Sequence, residues 1–492
     1  PLGTLRALLD PFLALERHHF APLGPKTQPP SKFRAGLLTP APPVPHSAMM
    51  SLPLRLLVLS ALATACNAES GSQGIVDTNN PKGDTADGVD SPADAQDGDV
   101  AVTADVSGLF DAESGEVTSA DSGQPDAEPS EDTSGVVVPS ALDDQILAQM
   151  EAGHLPGVAV AVVRGDEVLF SKGYGLADVE GEVAVTTDTA FMLASVSKTV
   201  IAMAALQAVD QGLVDLDADI DLVLPFSVRC PTAVETPITL RMLLTHTAGI
   251  RDDWDRITGF YVDGDSDVAL GAFLEDLLTP TGAFYDATTS FTAATPGASY
   301  EYSNIGAALA AFVVESATGT SFDLWCDTHI FLPLGLLNTG WHLKDLKGQV
   351  ALPYAWDDGY DTYGHYGYPD YPDGALRASV SDLARLLMMV IGGGHVDGAS
   401  VLPSWAVEAM LSEAAPELAP GQGLIWYQYD DGEDVYWGHE GGDDGASTTM
   451  FFRPSDGLGV IVLANGDAPE SEEAPVALYA IEALLNEAAA AW

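Results

Sequence analysis

Cysteine, basic side chains and long apolar runs are all scarce in this chain of 492 residues. Three cysteines cannot build a disulfide framework, and the ten histidines fall into neither a C-x-x-C nor an H-E-x-x-H context. No metal and no other cofactor is expected. Only 19 Lys and Arg stand against 72 Asp and Glu, a formal charge of −53 that repels phosphate backbones and argues against nucleic acid as a partner. No run of about 18 apolar residues occurs, so no transmembrane helix is expected. The hydrophobic share is nevertheless 47% with only 18% charged residues, enough for a sizeable core.

The charge is unevenly spread. Residues 1–65 hold six bases and two acids, residues 66–138 hold 17 acids and one lysine, and the remainder holds 53 acids and 12 bases. Residues 1–48 are Pro-rich and aperiodic, and they read as an unstructured extension upstream of a more natural start at Met49 or Met50. Residues 49–66 carry one base, Arg55, then an apolar stretch and a small-residue end, which is secretion-signal anatomy. The segment resembles a bacterial lipoprotein signal ending at Cys66, the residue that would be lipidated. Ala63 stands where that motif usually has leucine, and an ordinary secretory signal with an incidental cysteine is the alternative. The expected location is the cell envelope, membrane-anchored in the first case and soluble in the second. Residues 67–138 are rich in Asp, Ser, Gly, Ala and Thr, cannot bury enough surface to offset ordering entropy, and read as an acidic linker. The Asp94–Asp99 stretch lacks the order and closing Glu of a calcium loop, so a self-repelling tether is favoured.

From residue 139 to 492 the patterning becomes that of a folded domain. Leu142, Ile146, Leu147 and Met150 share one helical face. Val158–Val163 and Glu167–Ser171 flank Arg164-Gly165-Asp166 as a strand pair, and Ser447–Phe452 and Gly459–Ala464 form another around Pro454–Gly457. Helices are expected at 240–244, 305–317, 381–390 with Asp382 as a capping candidate, and 475–490. Strands at both ends with helices between predict an α+β fold, an antiparallel sheet built from both termini with flanking helices and a helical insertion. Cys230 and Cys326 read as two separate buried thiols, with a disulfide as the alternative.

The strongest chemical signal is Ser195-Val196-Ser197-Lys198, the only S-x-x-K in the chain, at the head of an apolar helix. Residues three apart lie on one helical face, so Lys198 can reach the Ser195 hydroxyl. Serine needs a base to become a nucleophile, and a buried amine with a lowered pKa can serve. Tyr302-Ser303-Asn304, the only Y-x-N, precedes an apolar helix and offers a phenol to relay a proton and an amide to hold a base or carbonyl. His439-Glu440-Gly441 with Gly442 precedes the second strand pair, where glycines allow close substrate approach and a free N–H. Each motif alone has a structural reading: a capping serine, a buried tyrosine, a core histidine. His365-Tyr366-Gly367 shares the third spacing but lies among glycine and prolines and reads as a loop.

In this order the three motifs resemble the serine β-lactamase and penicillin-binding-protein superfamily, in its class C-like branch. Thr189-Ala190-Phe191, Leu243–Ile250, Gly374–Ser379 and Gly438–Gly442 extend the likeness over about residues 140 to 490. It implies a β-lactamase/transpeptidase-like fold with Ser195 as acylated nucleophile and Lys198 and Tyr302 as the acid/base pair. It further implies that Asn304, His439 and Gly441 bind substrate, that the backbone of Ser195 and Gly442 supplies the oxyanion donors, and that the Thr245-His246-Thr247 run is a structural turn. Where many relatives have Lys-Thr-Gly or His-Thr-Gly, this chain has His-Glu-Gly followed by Asp443 and Asp444. Acids facing the cleft would disfavour anionic β-lactams and suit a neutral ester or amide, or a substrate with a free amine. The reading is therefore a serine hydrolase acting on a small molecule or peptide. The alternatives are a true β-lactamase or D-alanyl-D-alanine carboxypeptidase, and an inactive binding protein. Oligomeric state is not legible.

Overall fold

Val158–Val163 has no polar face, so a strand made from it must be covered on both sides. The computed structural model, which describes residues 140–467 and 473–492, places it at the interior of a seven-stranded antiparallel sheet. The strands are β1 (Gly157–Arg164), β2 (Glu167–Asp178), β3 (Val183–Ala184), β4 (Tyr427–Asp430), β5 (Val435–Asp443), β6 (Ala446–Arg453) and β7 (Leu458–Ala464). Their order across the sheet is β4-β5-β6-β7-β1-β2-β3. Strand β1 from the beginning of the domain lies beside β7 from its end, with Val160 opposite Val462, so the two ends of the domain share one sheet as expected. The extension, Cys66 and the acidic stretch lie outside the described residues.

Five helices matter for the site: α1 (Ser140–Ala152), α2 (Lys198–Asp210), α3 (Asn304–Thr318), α4 (Val380–Ile391) and α5 (Glu473–Ala489). Alternate residues of β1 feed two cores. Val158, Val160 and Val162 pack with Ile146 of α1 and Ile481 of α5 on one face. Ala159, Ala161 and Val163 face the larger core that holds α2, α3 and α4. Each fully buried Val, Ile or Leu contributes about 1.5–3 kcal/mol, and two such faces fix the register, since a slip by one residue would exchange the cores.

Three local expectations change. Helix α4 is capped by Ser379, whose hydroxyl accepts from Asp382 N at 3.2 Å. Asp382 lies inside the first turn, where its carboxylate accepts from Asn338 N and the Thr339 hydroxyl at 2.7 and 2.9 Å. The serine three residues earlier holds the capping position, so the aspartate is free to tie a neighbouring strand. Tyr366–Gly367 is not loop but a two-residue strand paired with Val262–Asp263, because the buried Tyr366 ring anchors it. The S-x-x-K segment is not the first turn of α2. It forms a separate 3₁₀ turn, Ala194–Ser197, and α2 begins at Lys198. Cys230 and Cys326 are both free and buried. Among the described residues no single helix is long and apolar enough to cross a membrane.

Candidate active site

A 3₁₀ turn nearly eclipses residues three apart, which brings Lys198 over Ser195 more directly than an α-helix would. Lys198 Nζ lies 2.9 Å from Ser195 Oγ and 2.7 Å from the Asp373 carbonyl oxygen. The turn is entered through Ala194 at φ 47°, a left-handed conformation that costs a non-glycine residue energy and aims the serine side chain into the cleft. Burial pushes the Lys198 amine below its ordinary pKa, opposed by the neighbouring carboxyl groups of Asp373, Asp252, Asp443 and Asp370. A buried amine biased towards neutrality at hydrogen-bond distance from a hydroxyl can take that hydroxyl's proton.

Tyr302 stands over this pair. Its ring centroid is 5.2 Å from Lys198 Nζ, and its hydroxyl is buried beside Ser195. Burial raises the phenol well above its usual pKa, and the nearby Ser195 side chain partly offsets this. Asn304, directly behind it, opens α3 and is buried. The Tyr302 ring packs 4.4 Å from His246, centroid to centroid, so the Thr245–Thr247 turn is in contact with the site.

The opposite wall is β5. Residues paired across an antiparallel ladder share a face. His439 opposite Met450 and Gly441 opposite Thr448 therefore face the cleft and core, while Glu440 opposite Thr449 faces away. His439 is buried, and burial beside Lys198 holds its pKa down to about 3, so it is a neutral imidazole. Gly441 is required by sterics: a Cβ there would come within 2.4 Å of Leu193 O, 2.6 Å of Thr448 Oγ1 and 2.9 Å of Ser195 N. Thr448 Oγ1 also donates to Leu193 O at 2.7 Å and ties the strand to the serine turn. Strand β4 covers β5 only as far as Gly438. Gln428 N donates outward to Gly421 O, so Tyr427 and Tyr429 turn their bonds towards β5, and alternation along β5 directs the Gly442 N–H to the uncovered edge.

The acids beside the third motif separate. Glu440 does not face the cleft; its carboxylate accepts from Tyr479 of α5 on the outer side of the sheet, as strand alternation dictates. Asp443 is on the cleft side, where Tyr261 and Tyr368 donate to its two oxygens at 3.3 and 3.0 Å. Asp444 belongs to the turn after β5, where its backbone carbonyl accepts from Tyr366. Sequence alone missed three contributors, Asp252, Asp370 and Asp373. Asp373 acts on Lys198 through a carbonyl oxygen, which no residue pattern encodes. Among the described residues no group of His, Cys, Asp and Glu could hold a metal.

A fold with an S-x-x-K turn, a Y-x-N turn and a glycine-bearing strand around one cleft defines the serine-reactive β-lactamase architecture. The Beta-lactamase family model matches residues 142–485, and the chain belongs to that family as a β-lactamase-related serine hydrolase. Penicillin-binding protein 4 of Amycolatopsis lactamdurans is 30% identical over 333 residues, 65% of this chain and 83% of that protein. Esterase EstB of Burkholderia gladioli is 34% identical over 218 residues, 44% of this chain and 53% of that esterase. A class C β-lactamase structure from Rhodobacter sphaeroides superposes with TM-score 0.54 at 25% identity, covering 71% of this chain and 99% of that one.

Proposed function

We propose that this protein hydrolyses an ester or amide bond through a Ser195 acyl-enzyme. The observation that carries the reading is the buried amine of Lys198, 2.9 Å from Ser195 Oγ. Neutral Lys198 accepts the serine proton as Oγ attacks the substrate carbonyl. The N–H groups of Ser195 and Gly442 hold the developing oxyanion. The proton passes by way of Tyr302 to the leaving oxygen or nitrogen as the acyl bond to it breaks. Water then attacks the acyl-serine, with Lys198 and Tyr302 taking its proton and returning one to Oγ. Asn304 and His439 shape the substrate pocket as neutral groups.

Asp443 supports a neutral or amine-bearing substrate over an anionic β-lactam, and the resemblance to an esterase fits that preference. Catalysis on β-lactams or cell-wall peptide is the second reading, favoured by the similarity to a penicillin-binding protein. Intact-mass measurement after exposure to an aryl ester, a penicillin and a fluorophosphonate decides between them. A single acyl adduct that disappears in Ser195→Ala supports the mechanism, and adduct formation that survives the substitution overturns it. We further propose export as a lipoprotein anchored at Cys66. Cys66→Ser should release the protein from the membrane fraction, because stable anchoring takes about two acyl signals.

A further inference from the structure

The position of the Tyr302 phenol depends on the backbone beneath it and the ring beside it. Both are supplied by one segment about fifty residues upstream. Asp252 Oδ1 accepts from the Ser303 hydroxyl at 2.8 Å and from Ile305 N at 3.1 Å, and Oδ2 accepts from Asn304 N at 2.8 Å. His246 Nδ1 accepts from Ser303 N at 3.2 Å. The two segments are tied again by Glu301 N donating to His246 O at 2.8 Å and Gly297 N donating to Thr247 O at 2.7 Å. His246 itself is held at φ 54°, a strained conformation for a non-glycine residue, and it lays its ring against Tyr302.

We propose that Asp252 is a positioning residue for Tyr302, its carboxylate, with His246 as second anchor, fixing the turn that holds the phenol over Ser195 and Lys198. Simple helix capping does not account for it. The Ser303 hydroxyl already caps α3 by accepting from Gly306 N at 2.8 Å. What Asp252 adds is a grip on each of the three residues that follow Tyr302. A carboxylate suits the task, since it accepts several charge-assisted hydrogen bonds at once at the positive end of a helix. Its charge also reaches the reacting groups, raising the pKa of both Lys198 and Tyr302.

The proposal rests on the acyl-enzyme reading, and the test keeps the two apart. Asp252→Asn and Asp252→Ala are made in the full chain, each alone and combined with Tyr302→Phe, and assayed on an aryl ester with thermal unfolding as the control for folding. Misplacing the phenol should lower kcat by roughly 30- to 100-fold while KM changes less than about threefold. In the Tyr302→Phe background the added loss should shrink to less than about threefold, because two residues acting through one group are not additive. Lys198 is faced by Asp252, Asp370, Asp373 and Asp443, by the neutral His246 and His439, and by Tyr302. Removing the Asp252 carboxylate should move the acid limb of kcat/KM to lower pH, which a purely structural defect would not do. Should the alanine variant fail to fold, the isosteric asparagine carries the test. Unchanged kcat in the asparagine variant, or an equal loss with and without Tyr302, overturns the proposal. A Tyr302→Phe variant of normal activity would instead overturn the role of Tyr302 itself.

Discussion

The two walls of the cleft are built on opposite principles. The helical wall concentrates titratable side chains where water is excluded: Lys198, Asp370 and Asp373 are buried, as is the hydroxyl of Tyr302. The strand wall contributes little side-chain chemistry beyond a neutral imidazole and works by leaving atoms out, with Gly441 against the serine turn and Gly442 on an uncovered edge. In the mechanism we propose, one wall moves protons and the other supplies shape and fixed dipoles. The division teaches that losses on the first should track pH and losses on the second should track geometry.

The largest effect should come from the helical wall. Lys198→Ala and Tyr302→Phe should each lower turnover by about 10²- to 10⁴-fold, because without a proton acceptor the hydroxyl remains a poor nucleophile. Single-turnover kinetics with an aryl ester measures this directly. Unchanged acylation in both variants would mean that another group is the base.

The strand wall is tested by two adjacent glycines. Gly441→Ala drives a Cβ to 2.4 Å from Leu193 O and 2.9 Å from Ser195 N, so the serine turn must shift. A displacement of that kind should cost about 100-fold in kcat, and overpacking about 1–3 kcal/mol in stability. Gly442→Ala meets nothing within 4 Å and should keep near-normal activity and melting temperature. Equal behaviour of the two variants would mean that close packing against the serine turn is not what the strand wall contributes.

The motif residues were legible because unusual spacings survive in sequence: S-x-x-K and Y-x-N each occur once, and the apolar run Val158–Val163 announced a strand. What remained hidden was set by distant pairing. Asp252 is an ordinary acid among acids until the Ser303–Ile305 donors meet it. The split between the 3₁₀ turn and α2 depends on the left-handed Ala194, to which alanine gives no clue. The orientation of Glu440 follows from strand parity, which the sequence contained but whose origin could be placed only once the ladder register was known.

A smaller effect lies in the pH dependence of the helical wall. Lys198 must be neutral to act as base, so kcat/KM should rise with pH as its proton leaves, earlier than for an ordinary lysine because burial lowers its pKa. Asp370, whose carboxyl burial pushes up to about 7, becomes increasingly anionic through neutral pH and favours the protonated lysine. Asp370→Asn should therefore shift the acid limb to lower pH. His439, held down to about 3, should add no inflection near neutrality, and a titration there that vanishes in a His439 variant would contradict its assignment as neutral.

The smallest expected effect concerns selectivity, and it separates two acids three residues apart. Asp443 lies on the cleft side of β5, held by Tyr261 and Tyr368, and its charge is felt by Lys198. An anionic substrate entering beside it meets a repulsion on the order of 1 kcal/mol in partly solvated surroundings, which a neutral ester does not. Asp443→Asn should thus improve kcat/KM for a chromogenic cephalosporin relative to an aryl ester by about fivefold to tenfold. Glu440→Thr recreates the His-Thr-Gly that many relatives carry, yet Glu440 faces α5 and bonds Tyr479, so the same ratio should change by less than about twofold. Measuring both ratios side by side makes the comparison strict. A large gain from Glu440→Thr with none from Asp443→Asn would show that charge reaches the substrate through the strand, and that the cleft-facing carboxylate does not set the preference.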